Sequence, residues 1–186
     1  MDKQKEILAA ALKLFVEFGF HGTPTSKIAK EAGVANGTLF HYYPTKDDLI
    51  TSLYVSIKLQ MAADIESKSE KTDDYKQQFK DQFVNAQHWA IAHPDEFQYV
   101  QQFYASPYAA LIHSEILQTQ LRKTCGDIQK AIDAGVIKPF PVDYIFSLFG
   151  SHLFGLNQYL KNSKLPVDQQ KNIILETFEL LWGMLT

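Results

Sequence analysis

Residues 25–43 read TSKIAKEAGVANGTLFHYY. Within this stretch Ile28, Ala29, Ala32, Val34, Leu39 and Tyr43 fall at the spacing of an inward helical face, broken at Gly33. The pattern predicts a short helix capped by Thr25 and running through Ala32, a tight turn at Gly33, and a second short helix from about Ala35 to Tyr42 that Pro44 stops. This is a helix-turn-helix, the hairpin whose second helix can enter a DNA major groove. Thr25, Ser26, Lys27, Lys30, Ala35, Asn36, Gly37, Thr38, His41 and Tyr42 are left facing outward, and most of them form hydrogen bonds of the kind that suit phosphates and base edges. Phe40 reads as packing rather than contact. The bare pattern is shared by any two-helix hairpin with a glycine turn.

Outward from this hairpin, apolar residues keep recurring at three- and four-residue spacing, and no sustained alternation occurs. An all-α chain of about nine helices follows. The first helix spans Lys3 to Phe18, with Ile7, Leu8, Ala11, Leu14, Phe15 and Phe18 on one face, and Gly19 ends it. Thr45 is placed to cap a helix from Lys46 to about Ser67, and the polar stretch 67–74 reads as a loop. A helix from about Asp74 to Ala92 ends before Pro94, which opens the next helix, to about Tyr104. Ser106 and Pro107 break the pattern, a further helix reaches Ala134 ahead of Gly135, and the last two helices lie near 142–161 and 167–185. The expected organisation is a DNA-binding domain over 1–50 and a helical regulatory domain over 51–186.

At 186 residues and 46% apolar, the chain can bury a sizeable core. A single cysteine, Cys125, excludes an internal disulfide and a thiolate metal cluster, so no cofactor or metal is expected. A reducing, cytoplasmic setting fits, and the sequence holds no apolar run long enough to span a membrane. Net charge is −3, unlike proteins that coat nucleic acid indiscriminately. Residues 1–50 balance six lysines against six acids and contain no arginine, so guanine readout by an arginine fork is unavailable there. Enzyme motifs are missing too: no Glu-x-x-His pair, no phosphate-binding glycine loop with lysine, no Gly-x-Ser-x-Gly and no His-Glu-x-x-His occur. The remaining alternatives are a helical module that binds small molecules or proteins without DNA, or a helical enzyme of another kind.

The stretch Ile28-Ala-Lys-Glu-Ala-Gly-Val-Ala-Asn-Gly-Thr-Leu-Phe-His-Tyr-Tyr-Pro-Thr-Lys-Asp-Asp-Leu49 resembles the DNA-binding signature of the TetR family of repressors. Leu14, Phe15, Gly19, Phe20 and Thr25 also stand where that family has them, so the resemblance covers about the first 50 residues. It implies phosphate contacts by Thr25 and Lys46, backbone contacts by His41 and Tyr42, and base reading by Asn36 and Thr38. Gly37 matches a position where a side chain would hold the backbone away from DNA; ease of starting a tight helix is its other reading. Phe40 departs from the tyrosine of many relatives, and Asn36 from their lysine or arginine. Both departures weaken nonspecific attraction, so roughly four to six phosphates neutralised per dimer are expected, with a log-log salt slope no steeper than about −8.

For the rest of the chain the resemblance implies a regulatory domain that binds a small molecule and dimerises through its last two helices, releasing a palindromic operator when the effector binds. The residues allow this. The helix after Pro141 has a wide apolar face interleaved with small residues, and the final helix is apolar on several sides. Phe146, Gly150, Leu153, Ile174, Phe178, Leu181 and Trp182 are the expected dimer contacts. Burial in an ordinary intramolecular core is the alternative for them. His88, Trp89, Phe103, Tyr104, Tyr108, His113, Phe149 and His152 form the candidate pocket for a hydrophobic or aromatic effector. Taken singly, each reads equally as core or surface.

Overall fold

A computed structural model describes residues 2–70, 72–112 and 114–186. Nine α-helices occur among them: α1 (Lys3–Phe18), α2 (Thr25–Glu31), α3 (Asn36–Tyr42), α4 (Lys46–Lys68), α5 (Tyr75–Ala92), α6 (Pro94–Tyr104), α7 (Glu115–Asp133), α8 (Val142–Ser163) and α9 (Val167–Leu185). The all-α expectation holds. One local difference is a 3-10 turn at Pro107–Leu111, where the sequence reading ran a helix on from the break at Pro107. Proline fixes its own backbone and offers no N–H, which suits the start of a short tight turn better than entry into a long helix.

The helix ends follow local chemistry. Asp2 caps α1 by accepting from the Gln4 N–H at 3.2 Å, and Gly19 ends it at φ 71°. A Schellman motif closes α7: the Val136 N–H reaches the Ala131 carbonyl at 3.0 Å, the Gly135 N–H that of Ile132 at 2.9 Å, and Gly135 takes φ 68°. Helix α8 runs on past Lys161 to Ser163 and stops at Lys164, a left-handed lysine at φ 47°. No glycine marks that stop in the sequence, so pattern alone placed it early.

The chain divides into two compact units, the first made of Met1–Gln60 and His93–Ser114, the second of Met61–Ala92 and Glu115–Thr186. In the first, α1 packs on α2 and on α6, and α2 on α3. Its buried residues include Ile7, Ala11, Leu14, Phe15, Ile28, Leu39, Ile50, Phe97 and Phe103. Phe18 departs from its expected place on the inward face of α1: it is 43% exposed, and the Lys27 ammonium lies 3.3 Å from its ring centroid. Ala10 is buried instead. The second unit packs α5 on α8 and α9, α7 on α8, and α8 on α9. Its core holds Phe79, Phe83, Ile128, Ile145, Leu156, Ile174, Phe178, Leu181 and Trp182. On its rim Lys76 and Lys80 both meet the Glu179 carboxylate, at 2.6 and 3.2 Å.

Candidate nucleic-acid interface

The turn of the helix-turn-helix is a second Schellman motif. The Gly33 N–H bonds the Lys30 carbonyl at 3.1 Å and the Val34 N–H that of Ala29 at 2.9 Å, with Gly33 at φ 65°. Only a glycine takes that backbone without strain. Helix α3 then starts from Ala35, whose carbonyl accepts from Thr38 at 2.9 Å and Leu39 at 3.2 Å. Leu39 and Tyr43 are buried and Val34 half-buried, so α3 is anchored by one side. Ala35, Asn36, Gly37, His41 and Tyr42 are exposed on the other, and Thr38 is half-buried.

Thr25 is the first residue of α2 and Pro24 its N-cap, with no side-chain cap bond. The cap assigned to Thr25 from sequence is thereby corrected: the preceding proline already fixes the extended entry into the helix. Thr25 is half-buried and Ser26 exposed. Phe40, expected to pack, is 44% exposed on the outer side of α3, because the inward side is filled by Leu39 and Tyr43.

Thr45 and Asp48 form a reciprocal cap at the start of α4. The Thr45 hydroxyl oxygen accepts from the Asp48 N–H at 3.0 Å, and the Asp48 carboxylate accepts from the Thr45 N–H at 3.0 Å and its hydroxyl at 2.7 Å. This cap fixes Lys46 as the first residue of α4, half-buried, where burial lowers its ammonium pKa and the neighbouring Asp47 opposes that shift. Lys13 pairs with Glu31 at 2.6 Å and ties α1 to α2. The Glu31 carboxyl is held below its usual range by that bond.

Two glycines near this surface contrast. A Cβ at Gly22 would lie 2.4 Å from the Phe18 carbonyl oxygen, so the turn between α1 and α2 requires glycine. A Cβ at Gly37 would meet nothing within 4 Å, and its φ lies outside the left-handed range. Nothing in the described chain asks for a glycine at 37.

Sequence reasoning passed over two buried polar residues. Thr23 is fully buried, and its hydroxyl lies 3.1 Å from the Leu14 carbonyl and 2.8 Å from that of Gly19, closing the end of α1. In the second unit Gln87 is fully buried on α5; its Nε2 donates to the Leu153 carbonyl of α8 at 2.9 Å, while its Oε1 has no partner among the described residues. The signal for Gln87 was available: it continues the stripe Phe79, Phe83, Ala86, Ala90.

The expected pocket residues divide between the two units. Phe103, Tyr104 and Tyr108 belong to the first unit, where Phe103 is buried and stacks on Tyr54 at 4.0 Å and Tyr104 is 46% exposed. His88, Trp89, Phe149 and His152 belong to the second. There Trp89 is buried, Phe149 stacks on Phe79 at 5.6 Å, His152 Nδ1 lies 2.8 Å from the Leu148 carbonyl, and His88 is exposed. Partial burial lowers the His88 pKa, and Lys171 and Lys68 lower it further. His113 lies outside the described residues.

Among the expected dimer contacts, Ile174, Phe178, Leu181 and Trp182 are buried in the second unit's own core. A helix that is apolar on several sides gives no sign in sequence of which side faces its own core. The large apolar residues left outside on α8 and α9 are Tyr144, Tyr159, Val167, Leu175, Leu180 and Met184, with Leu180 73% exposed. Phe146, Gly150 and Leu153 are half-buried. Between α8 and α9 runs an open groove lined by Ser151, His152, Gly155, Leu156, Tyr159, Ile173 and Thr177.

A tri-helical head with an exposed polar recognition helix, continued by a helical second unit, defines a helix-turn-helix regulator. The profile of bacterial regulatory proteins of the tetR family matches residues 7–53. The chain is 44% identical over 52 residues to the fatty acid metabolism regulator protein of Bacillus subtilis, and 44% identical over 59 residues to the transcriptional regulator RutR of Escherichia coli K12. Those matches span 28% and 32% of this chain, and only about a quarter of each relative, 27% and 26%. The crystal structure of a TetR family transcription regulator from Shewanella sp. PV-4 superposes over all of this chain and 98% of its own, with a TM-score of 0.88 at 29% identity. Residues 7–53 thus match the DNA-binding domain of the tetR family, and the whole chain shares the fold of a TetR family transcription regulator. These relatives are regulators, not enzymes. No helix among the described residues is long and apolar enough to cross a membrane.

Proposed function

We propose that this protein is a repressor that binds a palindromic DNA operator as a homodimer and leaves it when a small hydrophobic or aromatic effector binds. The observation that carries the DNA-binding part is the outer face of α3, where Ala35, Asn36, Gly37, His41 and Tyr42 are exposed over a buried anchor of Leu39 and Tyr43. Asn36 and Thr38 read bases, and Thr25, Ser26, His41, Tyr42 and Lys46 hold the phosphate backbone. Residues 1–50 carry this reading head and residues 51–186 the regulation. One seven-residue helix reads too few base pairs to select a genomic site, so two copies are needed.

The second copy sits on the α8–α9 face, where Tyr159, Leu180 and Met184 flank the groove. The match to the fatty acid regulator lies in the reading head, so the effector class rests on the second unit. Its Trp89, Phe149 and His152, with the open acceptor of Gln87, suit an apolar molecule bearing one hydrogen-bond donor. Effector binding favours a conformation with the two heads wrongly spaced, and DNA then weakens effector binding by the same factor.

Selection of duplexes from a random-sequence pool, followed by footprinting, tests the reading. A two-fold symmetric protected site is expected. No enrichment over the starting pool, or protection of one asymmetric half-site by a monomer, overturns it.

A further inference from the structure

Helix α6 lies more than forty residues beyond the reading helix in sequence, yet it is built into the same compact unit as α1 to α3. Two of its polar side chains reach the backbone of other helices. The Tyr99 hydroxyl donates to the Ile50 carbonyl of α4 at 2.8 Å, and Gln102 Nε2 to the Val16 carbonyl of α1 at 3.3 Å. Tyr99 is fully buried, its ring set edge-on to Phe20 at 5.5 Å and tilted against Phe15 at 6.2 Å. Burial pushes its phenol pKa up and keeps the hydroxyl in its donating form.

The Ile50 carbonyl sits inside α4, where helical pairing already supplies it with a partner. The added bond therefore satisfies the phenol, and its choice of acceptor has a mechanical result. Ring contacts hold α6 against its neighbours without fixing how α4 is placed along its own axis, whereas a hydrogen bond is directional and does. Ile50 lies about one turn beyond Lys46. We propose that Tyr99 is a positioning residue, whose bond to the Ile50 carbonyl sets the start of α4 so that Lys46 meets a DNA phosphate. This rests on the phosphate role given to Lys46 above.

The test compares wild type, Y99F, K46Q and the double variant on a duplex selected from a random pool by the wild-type protein, with binding followed by anisotropy across a salt series. Y99F keeps the ring and removes only the hydroxyl. The expected result is unchanged helix content, binding weaker by roughly tenfold, and a log-log salt slope shallower by about 2 per dimer, as for K46Q. The double variant should bind like K46Q alone.

Wild-type affinity in Y99F overturns the proposal, as do losses that multiply in the double variant, or a loss at unchanged salt slope. A Y99F protein without its helix content overturns it in favour of a purely structural role. If K46Q leaves the slope unchanged, the phosphate role of Lys46 falls and takes the Tyr99 proposal with it. That outcome is distinct from a Y99F failure against a working K46Q control.

Discussion

The outer face of α3 and the outer face of α8 and α9 are both more exposed than the protomer's own packing needs, and they differ in kind. Helix α3 shows polar groups and a glycine that weakens a seven-residue helix for no internal reason. Helices α8 and α9 show large apolar side chains, Tyr159 at 52%, Met184 at 48% and Leu180 at 73% exposure. Each face carries a cost that the isolated chain does not recover. The polar one fits a hydrated, charged partner approached closely; the apolar one fits a second apolar surface.

The contrast breaks most visibly if the apolar face is charged. L180D with M184D should turn the dimer into a monomer by sedimentation and weaken operator binding by roughly two orders of magnitude or more, while helix content stays, because neither side chain is in the core. A dimer that survives both charges would place the second copy elsewhere. On the polar face, N36A should weaken operator binding by about 1–3 kcal/mol per half-site and relax the preference for one base pair, with the melting temperature unmoved.

G37A sharpens the comparison, because its two readouts should move in opposite directions. Replacing this helical glycine should stabilise the fold by about 0.5–1 kcal/mol, seen as a higher melting temperature, and weaken DNA binding several-fold by holding the backbone off. A gain in both would return Gly37 to the role of easing the helix start. The smallest effect is expected from F40Y. Its exposed ring gains a hydroxyl that can reach a phosphate, so affinity should rise by a few-fold at an unchanged salt slope.

The reading head was legible because its signals are local. Gly33, Leu39, Tyr43 and Pro44 specify the turn, the anchor and the stop within a dozen residues, and the Thr45–Asp48 cap lies beside them. Long-range pairing was not legible. Nothing near Tyr99 announces that its hydroxyl will meet Ile50, so 93–114 read as part of the regulatory region although it packs in the first unit. The aromatics also misled. The sequence pattern sets Phe18 on the inward face and reads Phe40 as packing rather than contact, whereas exposed rings are common when neighbours already fill the core. Thr23 and Gln87 escaped for the converse reason, being polar residues whose burial is made tolerable by backbone acceptors in other segments.

The first unit is written in two pieces of chain with residues 61–92 between them. During synthesis the ribosome releases 1–60 well before α6, so the nascent N-terminal helices emerge without the Tyr99 and Gln102 bonds. By the time residue 114 is free, much of the second unit's α5 has emerged as well. The two units must therefore mature interleaved: the reading head is fully braced once α6 is out, while α7, α8 and α9, the larger part of the second unit, are still to be made.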